Sequence, residues 1–255
     1  MMFYSIKQEF YKLRHKKIAW IAPIILLVLM ILAGYALNCE EHKLLLVLCF
    51  DAPDWIMLIL VVIGATTFSM EFQNNAILTL LYKATNKVYV YLSKYIVLFL
   101  YDVFLHLLAL VYTFCLHYTL FRTSAVWTMT YLYSQSIWEN MLTAFMVDLV
   151  TTMLIITLVF LLSCLINNNA IVVTLSFLLV FMGQTISSNL LNSNKFVNVM
   201  KWNPLNMLNL TRQFGNYSMY VETTHLNNNQ ILIGSMFYII IFFVLGYLIF
   251  RKKRY

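Results

Sequence analysis

The chain has 255 residues, of which 62% are hydrophobic and only 11% charged, with a formal net charge of +7 and a mean hydropathy of +0.79. Soluble domains carry roughly 25% charged residues, so an ordinary water-soluble fold is excluded. The longest stretch outside the apolar runs, about residues 191–229, is too short for a nucleotide-binding domain, and none of the six glycines opens a G-x-x-x-x-G-K loop or a G-x-G-x-x-G turn. ATP, if used, is bound by another chain.

Residues 1–17 come first. Phe3, Ile6, Phe10, Leu13 and Ile18 recur at helical spacing, with Lys7, Lys12, Arg14, Lys16 and Lys17 between them. That pattern predicts an amphipathic, basic helix lying in the inner headgroup layer. Six apolar runs follow, at about 18–37, 54–71, 95–120, 140–166, 170–190 and 231–250, each long enough to cross a hydrocarbon core of ~30 Å as a helix. The expected fold is therefore all-α: a polytopic membrane protein of six spans forming one domain over 1–255. The first run exceeds the 7–15 residues of a signal-peptide core and no A-x-A-like site closely follows Leu37, so it reads as an uncleaved helix. Cys39 and Cys49 fall in the loop after it, where a disulfide is open to them; no Cys/His spacing suggests a metal site.

Residues 71–94 form the only sizeable loop on their side. Glu71 ends the second run, and Ile77, Leu80, Leu81 and Ala84 share one face of a short helix beside Lys83 and Lys87. Thr85-Asn86 marks a break before the third run. Within that run Asp102, His106, Thr113 and His117 fall in an arc of about 60° on a helical wheel. A second buried acid, Asp148, lies in the fourth run. Ionisable groups at membrane depth face a partner, a cavity or the protein interior. The stripe therefore reads either as the lining of a transport path with a protonation site, or as helix-to-helix bonding. Asp102 is expected nearer the inner face and Asp148 nearer the outer, so no direct pair is implied. Asn167, Asn168 and Asn169 predict a tight turn between runs four and five. In the Asn-rich segment 191–229, Asn203-Pro204 starts a new element, with short helices over about 197–202 and 205–214.

Orientation follows lysine and arginine. Twelve lie in residues 1–17, 71–94 and 251–255, and the other five are Lys43, Arg122, Lys195, Lys201 and Arg212. That asymmetry puts both termini in the cytoplasm. Basic residues flank the spans instead of forming one patch, which argues against nucleic acid. No H-E-x-x-H or G-x-S-x-G motif supports an enzyme.

At the N-terminus and the inner loop the sequence resembles a known family. IKQEFYKLRHKK is similar to the basic connecting helix of permease subunits of type-2 ABC exporters. Glu71 followed by NNAILTLLYKATNKVYVYLSKY resembles their inner loop, with Asn75-Ala76-Ile77 in the Gly-Thr-Ile place, Leu80-Leu81 as the paired leucines and Lys94 as the lysine opening span three. The missing glycine and the lack of a proline or arginine near Thr85-Asn86 are departures. Length, six spans and the long segment before the last span agree with the family. The resemblance implies a permease half working with a second permease copy and two cytoplasmic ATPase chains that bind ATP and magnesium, this chain itself holding no cofactor. It implies coupling through Glu71, Ile77, Leu80, Leu81 and Lys83. Small size and Asn/Lys-rich composition look most like Gram-positive peptide exporters, including bacteriocin and antibiotic immunity transporters, in the plasma membrane. The alternative from another class is a channel or a ligand-sequestering immunity protein that uses no ATP.

Overall fold

Apolar and basic side chains at helical spacing build the first element, α1 (Met2–His15), and Lys16, in extended geometry, separates it from α2 (Lys17–Ala36). The computed structural model describes residues 2–37, 42–74, 86–122, 126–193 and 196–252. Next come α3 (His42–Val47) and α4 (Ala52–Gln73), which starts with proline in its first turn. Between them Cys49, Phe50 and Asp51 all take left-handed backbone geometry.

The third span, α5 (Lys87–Thr119), begins where Asn86 accepts the Val88 amide as an N-cap. It therefore starts eight residues before the apolar run at 95, and the last part of 71–94 is helix, not loop. Ser136 and Glu139 form a reciprocal capping box that opens α6 (Ile137–Leu165). After three intervening residues α7 (Asn169–Ser193) begins, with the Asn168 side chain accepting the Ala170 and Ile171 amides. The long segment that follows holds α8 (Val197–Met200), α9 (Pro204–Met207), α10 (Leu210–Gly215) and α11 (Tyr217–Thr224). Asn203 caps α9 through the Asn206 amide, as its Asn-Pro step predicts. The last span is α12 (Asn228–Lys252).

Among the described residues, six helices are long and apolar enough to cross a membrane, the second running from α3 through α4. The chain is an all-α polytopic membrane protein, with no strand among the described residues. The fourth span, α6, is central: α4 and α12 pack along it, α7 packs on α4, and α1 lies against α5. Lys87 donates to the Arg251 carbonyl (3.3 Å), Lys16 to Thr67 (3.3 Å) and Ser69 to Asn169 (2.5 Å). These contacts gather both chain ends, the end of α4 and the α6–α7 turn at one end of the bundle, called here the terminal end. An aromatic cluster fills the core there, with Phe68 against Phe160 (4.9 Å between centroids) and Phe250 (5.5 Å). Tyr91 joins it because Gly246 lacks a side chain; a Cβ there would stand 2.5 Å from the tyrosine hydroxyl.

Candidate functional site

Two buried ionic clusters stand out, one at the terminal end and one near mid-bundle. The first assembles from three helices. Glu9 and Lys12 lie one turn apart on α1, Glu71 sits near the end of α4, and Lys94 lies two turns into α5. Lys12 Nζ meets Glu9 Oε1 at 2.7 Å and Glu71 Oε1 at 2.9 Å. Lys94 Nζ meets Glu9 Oε2 at 2.8 Å and Glu71 Oε2 at 2.6 Å. The four pairs close a ring in which every carboxylate oxygen is engaged.

Lys94 is fully buried, Glu9 is 5% exposed and Glu71 15%. Such depth is tolerable because the charges balance and each is hydrogen-bonded. Lys94 also lies 5.6 Å from the Phe68 ring centroid, a cation–π contact. Burial alone would raise the Glu9 carboxyl, but the Lys94 and Lys12 ammoniums outweigh it and hold the group below its ordinary value. Burial likewise opposes the Lys12 charge, yet Glu9 and Glu71 leave that lysine above its usual range. The buried side of α1 is thus Glu9 and Leu13. Phe3 and Phe10, assigned by the wheel to the apolar face, are exposed and turn away from the bundle.

The second cluster centres on His106. Its Nδ1 lies 2.9 Å from Asp102 Oδ1 and its Nε2 2.7 Å from Asp148 Oδ2. Thr152 donates to Asp102 Oδ2 (2.7 Å) and Thr211 to Asp148 Oδ1 (2.8 Å), while Thr151 and Thr211 are 2.8 Å apart. All six side chains are buried. His106 Nδ1 also lies 3.0 Å from the Asp102 main-chain carbonyl of its own helix, so the imidazole is held from both sides.

The expectation that Asp102 and Asp148 lie at different depths is corrected here. Because α5 starts at Lys87, Asp102 is about 22 Å along it, whereas a start at 95 would put it only ~10 Å in. Asp148 is about 26 Å from the same end of α6 at Leu165. The two acids are level, and His106 spans the gap between them. The rest of the stripe stays apart: Thr113 bonds the Ala109 carbonyl of its own helix (2.8 Å), and His117 packs edge-on against Trp127 (5.0 Å).

Of the residues expected to couple to an ATPase, Glu71 is placed in the ring. Ile77, Leu80, Leu81 and Lys83 lie outside the described residues, as does Cys39; Cys49 is buried and free. Sequence reasoning missed Glu9, although it is the only acid in the first 17 residues and stands one turn from Lys12. It also missed Thr152 and Thr211. Thr152 sits one turn from Asp148, but Thr211 belongs to a segment that only folding brings into the bundle. Among the described residues no group of three or more His, Cys, Asp or Glu is arranged to hold a metal.

The family model for the ABC-2 family transporter protein matches residues 5–183, a stretch that contains both clusters except Thr211. No curated protein matches the chain.

Proposed function

Because the chain belongs to the ABC-2 transporter family and is a membrane-embedded permease subunit of an ABC transporter, we propose that it exports an amphipathic or hydrophobic peptide, such as a toxin, bacteriocin or peptide antibiotic. The energy comes from a separate cytoplasmic ATPase, and two permease copies make the membrane unit. Both termini and residues 75–85 face the cytoplasm of a Gram-positive cell, in line with the partition of twelve basic residues against five.

The observation that carries this reading is the ring around Glu71. A permease without a phosphate loop uses ATP only by receiving motion from another protein. The segment after α4 is where that motion enters, with Ile77, Leu80 and Leu81 as the docked face and Lys83 beside them. Glu71 lies four residues before that segment and is tied to α1 and α5 at once, so a tilt of the α4 end is handed to both neighbours. Further along α5, the Asp102–His106–Asp148 triad gives the interior an ionisable point that the transport path uses.

The test is pull-down and substrate-stimulated ATP hydrolysis in nanodiscs. Truncating one buried anchor of a docking contact commonly costs more than about 1 kcal/mol, and a charge in its place costs more still. Leu80→Asp and Leu81→Asp are expected to leave the permease inserted and folded but to abolish ATPase co-purification. Glu71→Ala is expected to keep the ATPase bound and lose substrate stimulation. An ATPase that still binds and responds with both leucines replaced would place docking elsewhere; no ATPase partner at all would overturn the reading.

A further inference from the structure

Beside the ring lies a cavity of about 170 Å³, lined among others by Glu9, Lys12, Lys16, Thr67, Glu71 and Lys94. At ~30 Å³ per water it has room for about five waters. Three ammoniums face it against two carboxylates. The ring already engages those carboxylates, since each of their four oxygens lies within ion-pair distance of Lys12 or Lys94. Lys16 is therefore the surplus cation. Its one hydrogen bond among the described residues goes to the Thr67 hydroxyl at 3.3 Å, and an ammonium has three donors. Burial first, and then the Lys94 charge, pull its pKa down to about 8. The charge is held there without enough compensation.

The cavity lies between the second half of α1, the end of α4 and the first turns of α5. Tyr4 and Tyr11 on α1 and Trp20 at the start of α2 stand exposed, the aromatic types that favour the headgroup layer. Lys16 differs from its neighbour in the same place: Lys17 is exposed and does not line the cavity.

We propose that this cavity binds a phosphate-bearing anion, with Lys16 as its principal ligand and the Thr67 hydroxyl beside it. Lysine binds phosphate as a point charge, and one anionic oxygen supplies the countercharge that Lys16 lacks. Two sources present that chemistry: the headgroup of an anionic phospholipid at the terminal end, or free phosphate.

The experiment compares the full-length parent with Lys16→Gln, Lys16→Arg and Lys17→Gln. Native mass spectrometry reads the lipids retained from nanodiscs of pure phosphatidylcholine or of phosphatidylcholine mixed with phosphatidylglycerol. In parallel, inorganic phosphate is titrated against chloride at matched ionic strength in zwitterionic lipid, with the melting temperature as readout. A lost charge-assisted hydrogen bond weakens binding about tenfold or more. The parent, Lys16→Arg and Lys17→Gln are expected to retain one phosphatidylglycerol per chain that Lys16→Gln releases. Retention of the lipid identifies a headgroup as the source. Saturable phosphate stabilisation without lipid retention, again dependent on Lys16, identifies a free anion, and either result supports the site. If Lys16→Gln does not fold, the parent titration still decides: no phosphatidylglycerol retained and equal melting in phosphate and chloride overturn the proposal. It is equally overturned if Lys17→Gln releases the ligand as readily as Lys16→Gln.

Discussion

Replacing Lys94 by methionine is the sharpest perturbation of the terminal-end ring. The ammonium is fully buried and meets Glu9 at 2.8 Å and Glu71 at 2.6 Å. Methionine fills a similar volume but leaves two largely buried carboxylates sharing Lys12. Breaking a buried pair from one side costs about 3–5 kcal/mol, chiefly as the burden of the uncompensated charge. In a chain of this size each kcal/mol moves the melting temperature by roughly 2–4 °C, so a fall of about 6–20 °C is expected. Intrinsic tryptophan fluorescence of the permease in nanodiscs during heating reads it. Lys12 is 31% exposed, and Lys12→Met should cost less because water can solvate what remains. The double variant Glu71→Gln with Lys94→Met restores neutrality, leaving Glu9 and Lys12 as a matched pair. It should recover about 1–3 kcal/mol of the single variant's loss. A Lys94→Met protein that melts within about 2 °C of the parent, or a double variant no better than the single, would refute the view that charge balance holds these helices.

Asp102→Asn and Asp148→Asn keep shape and hydrogen-bonding capacity while removing charge; both should assemble normally and transport about tenfold or more slowly, read by ATP-driven peptide uptake into inverted vesicles. Parental rates in both would reduce the triad to helix-to-helix bonding. Lys16 titrates near 8 when folded against 10.5 ordinarily, so the unfolded chain binds the extra proton between those values, and stability should rise as pH climbs from about 8 to 10.5. Melting curves in zwitterionic lipid should show that rise in the parent and lose it in Lys16→Gln. Glu9 acts in the opposite window: its depressed carboxyl stabilises the fold above its ordinary value, and that contribution disappears as pH falls through the lower folded value. Single cysteines on a background without native cysteines should be labelled by an impermeant reagent in intact cells at positions 43 and 202 and not at 83; labelling at 83 would reverse the topology.

Much of the bundle was readable from the chain because hydrocarbon imposes a length rule on every crossing. The Asn167–Asn169 turn and the Asn203-Pro204 start were equally legible, since asparagine capping and proline geometry are local. The start of α5 was not. Lys87 and Lys94 made residues 87–94 look like loop, yet Lys94 is accommodated inside a span by acids that are 85 and 23 residues away in sequence. The wheel over α1 picked out an apolar stripe, and its Phe3 and Phe10 are exposed where a headgroup layer can cover them; the ionic contact that Glu9 makes with the bundle carries no apolar signal to read. Asp102 and His106 were visible as a stripe; their link to Asp148 depended on a helix start that hydropathy does not mark.

The ring has a mechanical consequence. Besides the Glu9–Lys12 pair within α1, it supplies one strut for each pair of helices: Lys12–Glu71 joins α1 to α4, Glu9–Lys94 joins α1 to α5, and Glu71–Lys94 joins α4 to α5. Three bodies joined pairwise make a triangle, and a triangle, unlike a four-sided frame, does not shear. No single helix can leave without rupturing two struts together, so partial displacements are penalised about as heavily as full ones. The end of α4 is thereby fixed to both of its neighbours at once, so moving it alone means breaking its contacts to α1 and α5 together.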